Sequence, residues 1–159
     1  MLFRSPEVMA IASTSALGGK NSCKFYNGSV QATSASYFTT DGRLDPGTGI
    51  GVTISAPGEK QEDINRGCFV QSTGILSLNA GGGTTRMSGT SMAAPHVAGV
   101  AALMQQQANG TLSPEEIQRI IRDGAQQFGG APLDSPTSSY TFDGEREGVI
   151  SACAVIGAC

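Results

Sequence analysis

The 159-residue sequence contains one histidine, His96, and no Cys-x-x-Cys pair. One imidazole without paired thiols falls short of a usual zinc ligand set. Charged residues make up 14% of the chain and sum to a net charge of -3. Basic stripes of the kind that bind nucleic acid are therefore not expected. No apolar run approaches the roughly 18 residues of a membrane span. The first residues, Met1-Leu2-Phe3-Arg4-Ser5-Pro6, lack the apolar stretch and small-residue cleavage site of a signal peptide. Strand-like sequence begins almost at once, at Val8, as expected of a chain missing its upstream part.

Glycine is abundant instead, at 22 residues, which implies tight turns and close backbone approaches. The four cysteines, Cys23, Cys68, Cys153 and Cys159, with little charge around them, point to a secreted, oxidised protein. They permit three pairings. A Cys153-Cys159 bridge across six residues of continuous helix would span about 9 Å. A disulfide tolerates a Cα separation of roughly 7 Å. Cys23-Cys68 is thus the better first pairing.

Val8 to Ala12 is a continuous apolar run, predicting a strand buried on both faces of a parallel sheet. Ser36 to Thr39 predicts a short strand. Val52-Thr53-Ile54-Ser55 predicts a β-branched strand ended by Pro57-Gly58. The charged stretch from Glu59 to Gly67 predicts a surface loop. Gly74 to Leu78 and Thr84 to Met87 predict two strands joined through Asn79-Ala80-Gly81-Gly82-Gly83. A helix is predicted over residues 91–108, with Val97, Ala101 and Met104 on one face and Val100 and Leu103 beside them. Its near-absence of charge implies burial nearly all round, and Asn109-Gly110 stops it. Ser113, Pro114 and Glu116 form a capping-box start for a second helix striped by Ile117, Ile120 and Ile121. Residues 128–148 are loop-like, and a last short helix is predicted from Val149 to Ala158. Asn27-Gly28-Ser29 and Asn109-Gly110-Thr111 fit the glycosylation acceptor pattern, but Asn-Gly is first of all a turn signal.

The chemistry concentrates at Ser91. A serine hydroxyl is a weak nucleophile until a base removes its proton, and it needs donors where charge develops on the substrate oxygen. A serine at a helix N-terminus projects its hydroxyl beside free backbone N–H groups. Gly89 lets the chain turn sharply into the helix, and Ala93 and Ala94 let the helix pack closely below. Most serines at helix starts are only N-caps, so the longer string decides. Gly89-Thr90-Ser91-Met92-Ala93-Ala94-Pro95-His96-Val97-Ala98-Gly99 resembles the nucleophile signature of subtilisin-like serine proteases, the subtilases.

The resemblance extends further. Pro6 to Ala12 is similar to the family strand after the oxyanion-hole region. Ala35-Ser36-Tyr37-Phe38-Thr39 is similar to the segment usually read Ala-Ser-Phe-Ser. Val52 to Gly58 resembles the strand ending in Ala-Pro-Gly, Thr73 to Ser77 the strand after it, and Gly148 to Val155 the closing segment. Residues 1–159 thus resemble the C-terminal portion of a subtilase peptidase domain. The implied fold is α/β: later strands of a parallel sheet with flanking helices, an incomplete subtilisin-like three-layer sandwich. The implied activity of the intact parent is secreted serine-type endopeptidase, acting on peptide or protein substrates through Ser91, whose backbone N–H contributes to the oxyanion hole.

In the family the triad runs Asp, then His, then Ser, so both partners belong upstream of Ser91. His96 lies five residues along the same helix, about 140° round from Ser91. It is expected to be structural, packed beneath the site. Asp41-Gly42 and Asp143-Gly144 are turns, and Asn21 and Asn27 do not replace the upstream oxyanion asparagine. The isolated chain is therefore expected to be inactive and to need the missing N-terminal part of its own domain as partner. Cutting the sheet exposes an edge and an apolar face, which predicts marginal stability or self-association.

By resemblance Met87 and Ser88 line the leaving side of the substrate site, Gly89, Thr90, Met92, Pro95 and His96 shape it, and Met92 is an oxidation-sensitive position. The resemblance fixes no cofactor for this chain and leaves calcium open for the intact family member. Some members hold calcium through carbonyls near Pro6 to Val8 and an Asp in the strand before Ala-Pro-Gly, but here that strand has no Asp. Gly47-x-Gly49-x-Gly51 and Gly81-Gly82-Gly83 open no helix, so neither is a phosphate loop. The alternative is a non-enzymatic, degenerate subtilase module that binds peptides or a partner. An α/β-hydrolase esterase requires a histidine after the nucleophile helix, and none follows His96.

Overall fold

In a computed structural model the residues described are 8–40, 42–45, 47–48, 51–125 and 147–157. Strands β1 (Ile11–Ser15) and β2 (Ile54–Glu59) pair in parallel, Ile11 opposite Ile54 and Ser13 opposite Ala56. Val149 extends this sheet by a parallel bridge to Ser55. Strand β3 (Gln61–Ile64) pairs antiparallel with β4 (Val70–Thr73), and β5 (Ile75–Leu78) with β6 (Thr84–Met87). Among the described residues three helices follow: α1 (Thr90–Gln107), α2 (Pro114–Gly124) and α3 (Ala152–Ile156).

The first strand begins three residues later than predicted, and Val8 is exposed. The apolar run missed its second half because β1 ends in polar residues, Ser13, Thr14 and Ser15, all buried. Ser13 and Ser15 are satisfied internally: the Ser13 hydroxyl pairs with Ser36 Oγ at 2.8 Å, and Ser15 Oγ donates to Glu59 at 2.9 Å. Buried hydroxyls are tolerated when so paired. The short strand predicted over Ser36 to Thr39 is a turn closed by Thr39 N–H on Ser36 O, next to an antiparallel bridge between Ala35 and Thr14.

Pro57-Gly58 does not end the second strand. At Thr14↔Pro57 the strand pairs only with β1 among the described residues, and proline survives in such one-sided positions. The predicted charged loop after it is also incorrect. Glu59 closes β2, Glu62 lies in β3, and both are fully buried. Local donors make this tolerable: two serine hydroxyls reach Glu59, and Tyr37 N–H donates to Glu62 at 2.5 Å. The Asn79-to-Gly83 hairpin forms as predicted, with Gly81, Gly82 and Gly83 all at positive φ.

Helix α1 packs on both strands of the parallel sheet through Ala93, Val97, Val100 and Met104. With Ile54, Ala56, Ile121 and Ala125 they form the main core. The helix is not buried all round: Ala94, Pro95, His96, Ala98, Gly99, Ala102 and Leu103 are exposed. Its composition is apolar on every side, yet only one side has a neighbour among the described residues. Helix α2 starts with the predicted reciprocal cap: Ser113 Oγ accepts from Glu116 N–H at 3.2 Å, and Ser113 N–H donates to Glu116 at 2.8 Å.

A disulfide joins Cys23 to Cys68 as predicted, tying the loop before Val30 to the β3–β4 turn over a second cluster of Cys23, Val30 and Ile64. Cys153 is also disulfide-bonded. The objection based on continuous helix fails, because α3 stops at Ile156 and Gly157 turns left-handed at φ 67°. Val149, predicted to begin that helix, is instead in the sheet. The predicted turns at Asp41 and Asp143, the Pro6 end of the calcium segment, residues 128–146 of the predicted loop and Ala158 lie outside the described residues.

Candidate active site

Three elements meet ahead of Ser91. The end of β2 presents Gly58, whose carbonyl accepts the Gly89 N–H at 3.0 Å. A methyl group on Gly58 would lie 2.6 Å from Gly89 O and 2.1 Å from Ser13 Oγ, so only glycine lets β2 approach this closely. At the β4–β5 junction a methyl on Gly74 would lie 2.5 Å from the Met87 backbone, and Arg86 Nη1 donates to Gly74 O at 3.0 Å. The glycines of Ala-Pro-Gly and of Thr73-Gly74 are thus the contact points that hold the turn before α1.

Gly89 is the N-cap, at φ 154° and ψ 162°, backbone space that essentially only glycine occupies. It offers no side-chain cap. The N–H groups of Met92 and Ala93 both return to Gly89 O, at 2.9 and 3.3 Å. The Ser91 N–H precedes any intrahelical acceptor and stays available at the positive end of the helix. Four residues on, Pro95 has no N–H to give to the Ser91 carbonyl.

Ser91 is exposed and lines a cleft of about 330 Å³ with Ile75, Leu76, Ser77, Met92, Pro95 and His96. Met92 is half-buried, and Thr90 is exposed at the first position of the helix. Met87 and Ser88 are exposed on the approach to the helix but are not among the cleft-lining residues. Among the described residues no hydrogen bond reaches the Ser91 hydroxyl.

His96 is not packed beneath the site as predicted. It is exposed, on the cleft wall, because the α1 face that carries it is uncovered. Its Nδ1 is 2.9 Å from the Met92 carbonyl of its own helix. A carbonyl only accepts, so that nitrogen carries the proton. The ring is thereby tied to its own helix backbone. Missed by sequence reasoning are Glu59 and Ser72, which stand behind the turn and link through hydroxyls to the already named Ser88. Nothing in their spacing distinguishes them from surface polar residues.

Among the described residues no cluster of three or more His, Cys, Asp or Glu side chains stands ready for a metal ion. The site supplies a helix-terminal hydroxyl, an adjacent free backbone donor and an apolar cleft wall. Among the described residues it brings no general base to the hydroxyl.

The chain has relatives among known proteins. The chain is 38% identical over 106 residues to an extracellular serine protease of Serratia marcescens, a match covering 67% of this chain and 8% of that protein. It is 46% identical over 96 residues to a subtilisin-like protease of Coccidioides posadasii, covering 60% of this chain and 20% of that protein. Among solved structures it resembles a protease from Pseudoalteromonas arctica with a TM-score of 0.58 and 25% identity, over 96% of this chain and 36% of the other. The chain therefore spans only a minor part of the relatives it matches. A family model described as the subtilase family matches residues 4–143, and with the incomplete α/β fold and the Ser91 signature in place, the chain belongs to the subtilase family.

Proposed function

We propose that this chain supplies the nucleophile-bearing part of a secreted serine endopeptidase, and that Ser91 is its nucleophile. The observation that carries the reading is the placement of Ser91: exposed in an apolar cleft, on the first turn of α1, with its own N–H uncommitted. In the intact protein the Ser91 oxygen attacks the carbonyl carbon of the cut bond while a base accepts the hydroxyl proton. The carbonyl oxygen takes up negative charge and receives the Ser91 N–H. The C–N bond then breaks, the proton passes to the leaving amine, and water releases the acyl group from Ser91.

Among the described residues neither that base nor an orienting carboxylate meets the Ser91 hydroxyl. The one histidine of the chain sits on the helix of Ser91 and is tied to Met92 O. We place the missing Asp–His part of the domain on the uncovered α1 face, over Ala94, Ala98, Ala102 and Leu103. That face is apolar, exposed and continuous with the cleft. Outside the cell is the compartment that suits its disulfides. The reading requires no cofactor.

The test is hydrolysis of casein by this chain alone and by the chain joined to its upstream sequence, each with and without Ser91→Ala. The joined protein should cleave, its S91A variant should not, and the chain alone should be inactive. A joined protein that binds peptides without cutting them would favour the degenerate binding module.

A further inference from the structure

Behind the Ser91 turn lies a carboxylate that the acyl-transfer scheme does not use. Glu59 is fully buried at the end of β2. One of its oxygens accepts from Ser15 Oγ at 2.9 Å, and the other accepts from Ser72 Oγ. Ser72 Oγ is in turn 2.7 Å from Ser88 Oγ. A serine hydroxyl has a single hydrogen. Ser72 spends its hydrogen on Glu59, so Ser88 must be the donor to Ser72. The chain of donors runs one way, from Ser88 through Ser72 to the carboxylate. Ser88 is the last residue before Gly89, whose N–H is held by Gly58 O, the carbonyl just before Glu59.

We infer that Glu59, through Ser72 and Ser88, is a positioning residue for the nucleophile. The inference rests on Ser91 being that nucleophile. Two tethers, one side-chain and one backbone, run from the same two residues of β2, Gly58 and Glu59, to the two residues Ser88 and Gly89. Gly89 alone offers no resistance to bending, since it has no Cβ and no side-chain cap. The hydroxyl relay supplies that resistance. It fixes the direction in which α1 leaves the turn, and with it where the Ser91 hydroxyl and N–H point. Burial of the Glu59 carboxyl keeps water from competing at its own two oxygens.

Two variants separate positioning from mere filling of a buried site. Ser72→Ala breaks the relay, and Ser15→Ala removes the other donor to the same carboxylate without touching the relay. In the full chain, amide exchange at Gly89 should be about tenfold faster in S72A and in Ser88→Ala, and within about twofold of wild type in S15A. In the chain joined to its upstream sequence, S72A should lower kcat about tenfold with KM within about twofold, and S15A should lower kcat by less than S72A does. The double variant S72A/S88A should be no worse than S72A, because one chain of bonds is lost in both. Unchanged Gly89 exchange in S72A, or an equal change in S15A, would overturn the inference. The exchange experiment does not depend on catalysis. A joined wild-type protein that fails to cleave, with Gly89 exchange behaving as expected, would sink the protease reading and leave the anchored turn standing.

Discussion

Replacing Gly58 with alanine tests the geometry that delivers Ser91. The added methyl would stand 2.6 Å from the Gly89 carbonyl and 2.1 Å from the Ser13 hydroxyl, short of ordinary contact by roughly 1 Å. Neither neighbour can easily yield. Ser13 is fully buried and paired with Ser36 at 2.8 Å. Gly89 O already accepts from Met92 and Ala93 N–H groups, so moving it moves the start of α1. Overpacking of this kind costs about 1–3 kcal/mol, and two backbone and side-chain clashes together place Gly58→Ala towards the upper end. At roughly 2–4 °C per kcal/mol, thermal unfolding followed by circular dichroism should fall by about 5–10 °C. Gly99→Ala is the contrasting case. Its methyl would meet nothing within 4 Å, and it removes a helix-interior glycine, so it should stabilise the chain by up to about 1 kcal/mol. A Gly58→Ala protein melting within about a degree of wild type would refute the close approach of β2 to the turn.

Further expectations follow from other contacts. The Cys23–Cys68 bridge closes a sequence separation of 45 residues, and on chain entropy alone its loss in Cys23→Ala/Cys68→Ala should cost roughly 4 kcal/mol, read by urea unfolding. Ser113→Ala removes one half of the α2 capping box and should cost about 1 kcal/mol. Asp45 accepts from the Thr48 hydroxyl and the Gly47 N–H, which hold its carboxyl below the ordinary aspartate range. Its contribution to the turn is therefore present above that ordinary range and is lost as pH falls through the lowered folded value. Carboxyl titration by NMR should show the lowered value in wild type, and Thr48→Ala should bring it back towards ordinary.

The parts of the fold legible in the sequence are those governed by local chemistry. The α2 capping box, the glycine hairpin after β5 and the start of α1 at Gly89 each depend on residues a few positions apart, and each forms as expected. The parts misread depend on partners far along the chain. Ser13 and Ser15 belong to a buried strand because Ser36 and Glu59 meet them. Glu59 and Glu62 are interior because serine hydroxyls and the Tyr37 amide reach them across 13 to 44 residues of sequence. No local pattern of charge reveals such donors. At the candidate site, the place of Ser91 on the first turn of α1 was legible from its eleven-residue string. The cleft wall from Ile75 to Ser77 was not, because the β5–β6 hairpin brings it across the cleft from the start of α1, far along the chain. The exposed position of His96 was misjudged for a related reason: a helix apolar all round reads as buried, whereas here one face of α1 lacks a neighbour among the described residues.

Reaction with a fluorophosphonate probe, followed by mass spectrometry of the Ser91 peptide, tests the central claim most directly. A serine without a base should not react, so this chain alone should stay unlabelled. Joined to the upstream part proposed to supply the Asp and His, it should be labelled stoichiometrically at Ser91 and at no other serine. Rapid labelling of the isolated chain, or a joined and folded protein that leaves Ser91 unmodified, would contradict the account.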